Sequence, residues 1–228
     1  MRTRVRLGIA IAAVAVFAVA AIASAEGLLS LSASPLKVTY PHRSTLTVTF
    51  PTTDPATATI LAMPVGASEW TTTTLKATTA TPTVSVKPKV TTAYKACLSD
   101  ELMSEPVTVS VAAKLSRPQI GSNIRKNHTY RIKGTMQPGE KEASVTVTFY
   151  RMETVSTTVV IHGVGHVRRS DKWVKHSSVE VGLTYRNSQT SSWTTKWTPR
   201  EKGWWKVVVS HEDAAHVASS ATTYKWVR

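Results

Sequence analysis

Two imidazoles and two carboxylates crowd into His211-Glu212-Asp213-Ala214-Ala215-His216, the densest group of chemically capable side chains in the chain. Such a set can hold a transition metal or supply the acid and base of a hydrolase. The spacing differs from the zinc-protease pattern, which needs histidines four apart on one helix face. Here they are five apart, at what reads as a strand end and loop. The expected role is to close a turn, histidine to backbone and Asp213 as turn residue. An ion held by His211, Asp213 and His216 is the weaker alternative. His162 and His166 flank Gly163-Val164-Gly165. The glycines suggest a bulge or hairpin, and this pair is not expected to bind metal. No metal and no cofactor are expected.

Nucleophiles are poorly supported. There is no Gly-x-Ser-x-Gly elbow and no phosphate loop. Cys97, the only cysteine, lies in a strand-like run and reads as a small buried hydrophobe. A single thiol staples nothing internally, and an intermolecular disulfide is its alternative. No acidic pair is marked as a glycosidase dyad. The chain is therefore read as non-enzymatic, with a secreted hydrolase using a His/Asp site as the rival from another class.

Tryptophan and basic residues give the stronger functional signal. Trp173, Trp193, Trp197, Trp204, Trp205 and Trp226 all fall in the second half. Trp193 and Trp197 share a strand face with Thr195, and of the adjacent Trp204 and Trp205 one must turn away from the core. Indole faces stack on sugar rings and on cations; their alternative role is to fill the core. Arg168, Arg169, Lys172 and Lys175 lie close in sequence and are read as a ligand-binding patch with Trp193, Trp197 and Trp204. Solubility and protection of strand edges are the alternative role of these charges.

The elements that carry these residues are strands. Helical periodicity is almost absent, and Thr-, Val- and Ser-rich alternating runs are punctuated by Pro, Gly and Asp, the pattern of an all-β sandwich. The first half offers Leu28–Ser34, Ser44–Phe50, Thr57–Met63, Thr71–Ala77, Thr83–Lys87, Ala93–Leu98 and Val107–Ala112. The second half offers Thr129–Met136, Ser144–Met152, Thr157–Ile161, Val164–Arg168, Ser177–Tyr185, Ser192–Trp197, Gly203–His211 and Thr223–Arg228. About seven short strands per roughly 100 residues is the density of an immunoglobulin-like sandwich. Residues 112–118, ending in Pro118, read as a semi-rigid connector. The expected organisation is two tandem Ig-like β-sandwich domains, residues 26–113 and 117–228.

Residues 1–25 read as a signal peptide. Arg2, Arg4 and Arg6 precede an uncharged apolar run from Leu7 to Ile22, followed by Ala23-Ser24-Ala25, small residues where signal peptidase cuts. The mature protein is expected to begin at Glu26 and to be extracellular or displayed at the cell surface. Retention of the segment as an anchor is the alternative, and membrane contact is expected only then. Charge is uneven. The chain carries +14; residues 26–112 hold six basic and six acidic groups, and residues 113–228 hold 19 basic and eight acidic, a net of +11. Such asymmetry suggests two units with different surfaces.

Two stretches of the second half carry a resemblance: Tyr130-Arg131-Ile132-Lys133-Gly134-Thr135-Met136-Gln137-Pro138-Gly139, and Lys202-Gly203-Trp204-Trp205-Lys206 onward to His211-Glu212-Asp213-Ala214-Ala215-His216. They are similar to the tandem Ig-like repeats secreted or surface-displayed by actinobacteria and related bacteria, with Ala218-Ser219-Ser220 matching the return strand. In the first half, Thr39–Val48 and Thr91–Tyr94 are a looser match, with Pro41 where such repeats often have glycine. The resemblance implies a secreted or surface module of bacterial origin and no known reaction. The function expected is adhesion to an anionic cell-wall polymer or polysaccharide, or to another surface protein, rather than to nucleic acid. Recognition of carbohydrate by exposed tryptophan is the alternative within binding.

Overall fold

The computed structural model describes residues 29–50, 58–74, 82–98, 102–162 and 164–228. The signal-like segment and the expected cleavage point lie outside the described residues, as does the distal end of Thr71–Ala77.

Alternation becomes burial in the core strands. The first half contributes β1 (Ser30–Ser34), β2 (Lys37–Thr39), β3 (Ser44–Thr49), β4 (Thr59–Pro64), β5 (Thr71–Thr74), β6 (Thr83–Val86), β7 (Thr92–Cys97) and β8 (Val107–Ala112). They form a three-stranded sheet β1-β3-β6 and a five-stranded sheet β2-β8-β7-β4-β5. Leu31, Leu46 and Val48 from one sheet meet Val38, Ile60, Tyr94, Val109 and Val111 from the other in a single buried cluster. Thr45, Thr47 and Thr49 alternate with those inward residues, as a pleated strand requires. Strand β2 pairs parallel with β8, while the other pairings in these sheets are antiparallel.

The second half contributes β9 (Lys114–Leu115), β10 (Tyr130–Gln137), β11 (Ser144–Ile161), β12 (Val164–Gly182), β13 (Thr184–Asn187), β14 (Thr190–Trp197), β15 (Gly203–His211) and β16 (Ser219–Val227). Their sheets, ordered β13-β14-β10-β9 and β12-β11-β15-β16, enclose a second buried cluster. Its centre is aromatic. Phe149 stacks on Trp197 with ring centres 5.5 Å apart, and Trp197 meets Trp205 edge-on at 5.4 Å. Gly134 is required opposite Trp193, because a Cβ there would fall 2.4 Å from the indole Cζ2. No helix forms among the described residues, and the fold is all-β and immunoglobulin-like, two β-sheets facing each other over each core.

Two elements differ from expectation. Thr157–Ile161 and Val164–Arg168 are the distal ends of two long strands that pair continuously from Ser144↔Gly182 to Ile161↔Val164. No proline or glycine interrupts residues 144–162 or 166–181, so the polar residues around Glu153 and Asp171 mark exposure rather than chain reversal. Strand β15 covers β11 only from Thr146 to Arg151. Beyond that point the hairpin is a two-stranded ribbon of roughly 30 Å, at about 3.4 Å per residue. The second difference is the connector. Lys114 and Leu115 pair with Gln137 and Met136, Ala112 bridges to Val217, and Ala112 and Ala113 are buried. Their small side chains let this extended backbone sit between partners on both sides.

Candidate functional site

Strand parity builds one face of the second sandwich. Because Trp205, Val207 and Val209 point into the core, Trp204 and Lys206 must point out. Antiparallel register then sets Trp226 opposite Trp204, Tyr224 opposite Lys206, and Tyr150 opposite Lys206 on the other side. Trp173 is opposite Met152, and Lys175 is opposite Tyr150. The result is an open aromatic and basic row crossing the four strands of this sheet. Trp204 and Trp226 are 47% and 49% exposed, and their rings meet edge-on at 5.5 Å. Tyr224, 56% exposed, lies 5.6 Å from Trp173. The Lys206 ammonium sits over the Tyr150 ring at 4.3 Å and near Trp173 at 5.4 Å. Arg169 continues the row along the ribbon, two pairs beyond Asp171 and four beyond Trp173 on the same face.

The expected site residues divide accordingly. Trp204, Lys175 and Arg169 lie on this face. Arg168 and Lys172 are exposed on the opposite face of the ribbon, since neighbouring strand residues point to opposite sides. Trp193 and Trp197 are corrected: they are 2% and 6% exposed and fill the core. They do share a face with Thr195, but it is the inward one. Tyr150, Lys206 and Tyr224 were not anticipated. Lys206 could have been found by parity from Trp205, whereas Tyr150 and Tyr224 need the strand order, which no local pattern encodes. The other sheet has a shallower basic groove of about 420 Å³, lined by Arg131, Lys133 and Arg186 around Gly134.

The histidine cluster also assembles. His211 ends β15 on its inward side, and the loop after it turns on Asp213, whose Oδ1 accepts the amide N–H groups of Ala215 (2.8 Å) and His216 (2.7 Å). This is the turn closure expected of the segment. It swings His216 back so that the rings of His211 and His216 lie 5.5 Å apart with Asp213 between them. Asp213 Oδ2 is 3.1 Å from His211 Nε2, and Oδ1 is 3.2 Å from His216 Nδ1. Partial burial pushes the Asp213 carboxyl up, but the His216 amide, the two imidazoles and the Ala215 amide together hold it below its ordinary range. Both rings are buried, at 4% and 1%. The loop also touches the first sandwich: Ala215 O accepts from Thr91 N at 2.8 Å, and Val217 N donates to Val111 O at 2.9 Å. His162 and His166 form no such cluster. His162 sits in the hairpin turn at φ 50°, and His166 pairs with Val159 on the exposed ribbon.

No family model matches the chain, and no curated protein matches it. Among solved structures, native Escherichia coli alpha-2-macroglobulin is similar over 88% of this chain at 9% identity, with a TM-score of 0.35. Red sea bream transglutaminase is similar over 88% at 14% identity, with a TM-score of 0.37. The chain spans 16% and 31% of those two proteins respectively.

Proposed function

We propose that this protein is an exported, non-enzymatic binding module that grips an anionic polysaccharide with the outer face of its second sandwich. One observation carries the reading: Trp204, Trp226, Tyr224 and Trp173 stand on one open sheet face with Lys206, Lys175 and Arg169 among them. Sugar rings present C–H faces that stack on indole and phenol rings. Carboxylate or phosphate groups along the same chain would meet the ammonium and guanidinium groups. A flat sheet face suits an extended polymer better than a small molecule, which prefers a concave pocket. The +11 charge of residues 113–228 adds a long-range attraction that raises encounter rates with polyanions. Export is inferred from the N-terminal charge and hydropathy pattern, and the first sandwich, neutral over residues 26–112, serves as a spacer. A non-enzymatic role is supported by the histidine cluster, whose rings are too buried to reach a polymer.

The test is affinity electrophoresis or calorimetry against a polyuronate and a neutral β-glucan. The polyuronate should bind and the neutral glucan should bind more weakly. Trp204→Ala should weaken polyuronate binding about fivefold, the equivalent of roughly 1 kcal/mol of aromatic contact, and Lys206→Glu should weaken it at least as much. Equal binding of both polymers, lost in Trp204→Ala but untouched in Lys206→Glu, would favour neutral-carbohydrate stacking instead. Binding unchanged in both variants would place the site elsewhere.

A further inference from the structure

The two buried histidines converge on one carboxylate, that of Asp213. His211 Nδ1 lies 2.8 Å from the Ser144 carbonyl oxygen, and its Nε2 faces Asp213 Oδ2. His216 Nε2 lies 3.1 Å from the Lys89 carbonyl oxygen, and its Nδ1 faces Asp213 Oδ1. Every ring nitrogen therefore meets an acceptor. A neutral imidazole carries one N–H. It can donate to only one of the two acceptors it faces, and His216 Nδ1 is within hydrogen-bond distance of Asp213 Oδ1 at 3.2 Å. His211 Nε2 is buried and makes no hydrogen bond.

A single cation between the three side chains resolves the conflict. The ligand atoms of His211, Asp213 and His216 all lie within 4.8 Å of one another. The nitrogen-to-carboxylate gaps, 3.1 Å from His211 to Oδ2 and 3.2 Å from His216 to Oδ1, are short enough for one ion with bonds of about 2.0–2.2 Å to touch both rings and the carboxylate. The far nitrogen of each ring lies at a backbone carbonyl, 2.8 Å away for His211 and 3.1 Å for His216, the kind of outer contact that orients metal-bound histidines. A polar groove of about 350 Å³, lined by Ser144, Glu180, Ser210 and Glu212, reaches His211.

We infer that His211 Nε2, His216 Nδ1 and the Asp213 carboxylate bind one divalent transition-metal ion of the zinc class, with water in the fourth position. The site's loop donates or accepts hydrogen bonds at Val111, Thr91 and Lys89 of the first sandwich, so the ion fixes the loop on which the two sandwiches meet. This reading is independent of the polysaccharide face, which lies on the outward side of the sheet.

The experiment uses the untagged full chain, stripped with chelator. Zinc should bind at one equivalent per chain and raise the melting temperature, and cobalt should give the visible bands of a tetrahedral nitrogen–oxygen site. Asp213→Asn keeps an oxygen to accept the Ala215 and His216 amides but loses the carboxylate. It should bind zinc at least about tenfold more weakly and show no zinc-dependent rise in melting. Should that variant fail to fold, nitrogen NMR of the wild-type rings decides. Zinc should shift His211 Nε2 and His216 Nδ1 and leave the other five of the seven histidines unmoved. Substoichiometric binding by the wild type, equal binding by Asp213→Asn, or two imidazolium rings unchanged by zinc would each overturn the assignment.

Discussion

Tryptophan at single positions separates what holds the second sandwich from what works on its surface. Trp193 and Trp205 are almost wholly buried, while Trp204 and Trp226 are half exposed. Trp193→Ala should destabilise the protein by about 3–5 kcal/mol, as expected of a large buried aromatic. Gly134→Ala should cost about 1–3 kcal/mol, because the new methyl is driven into the Trp193 ring. Denaturant unfolding measures both, and a loss within about 0.5 kcal/mol in either variant would show that the Trp193 packing is misplaced. Sequence alone made part of this legible: adjacent Trp204 and Trp205 had to face opposite ways. It did not make the direction of Trp193 and Trp197 legible. Their shared face is plain from alternation, but which side of a strand is inward depends on the sheet it joins. The histidine cluster shows the same limit. Local spacing argued against a helical zinc motif, correctly, yet an Asx turn at Asp213 brings the side chains together by a route that spacing rules do not cover.

Among the elements, the short alternating strands were the most readable. Leu46 and Val48, Val145 to Phe149, and Trp205 to Val209 all bury the faces that alternation assigns. Pairing order and strand length were less readable, because register is a long-range property and an exposed ribbon carries no hydrophobic period. The β11–β12 ribbon beyond Arg151 contacts no third strand in its ladder, and Val160, Val164 and Val167 near its tip are 67%, 59% and 65% exposed. Its stability is local and adds little to the core. Replacing residues 155–170 by a two-residue Asn-Gly turn, which suits a tight hairpin, should leave the melting temperature within a few degrees of wild type. Low-salt binding to a polyanion should fall, since Arg168 and Arg169 leave with the ribbon. A large drop in melting temperature would mean that the ribbon packs against the body of the protein.

For the whole molecule, charge and architecture divide the labour. Two hydrophobic cores form on either side of Ala112, and hydrogen bonds at Thr91, Val111 and Lys89 link them through the loop after His211. The net charge of residues 26–228 resides wholly in residues 113–228, the half that also carries the aromatic face. The most direct test of the binding account is the affinity of the chain beginning at Glu26 for a polyuronate as salt is raised. Screening lengths fall from about 10 Å at 0.1 M to about 3 Å at 1 M, so the affinity should drop by at least about tenfold. The residue of binding at high salt should disappear in Trp204→Ala, because stacking is less sensitive to salt than charge attraction. An affinity that is flat across that salt range and identical in wild type, Trp204→Ala and Lys206→Glu would contradict the assignment of this face.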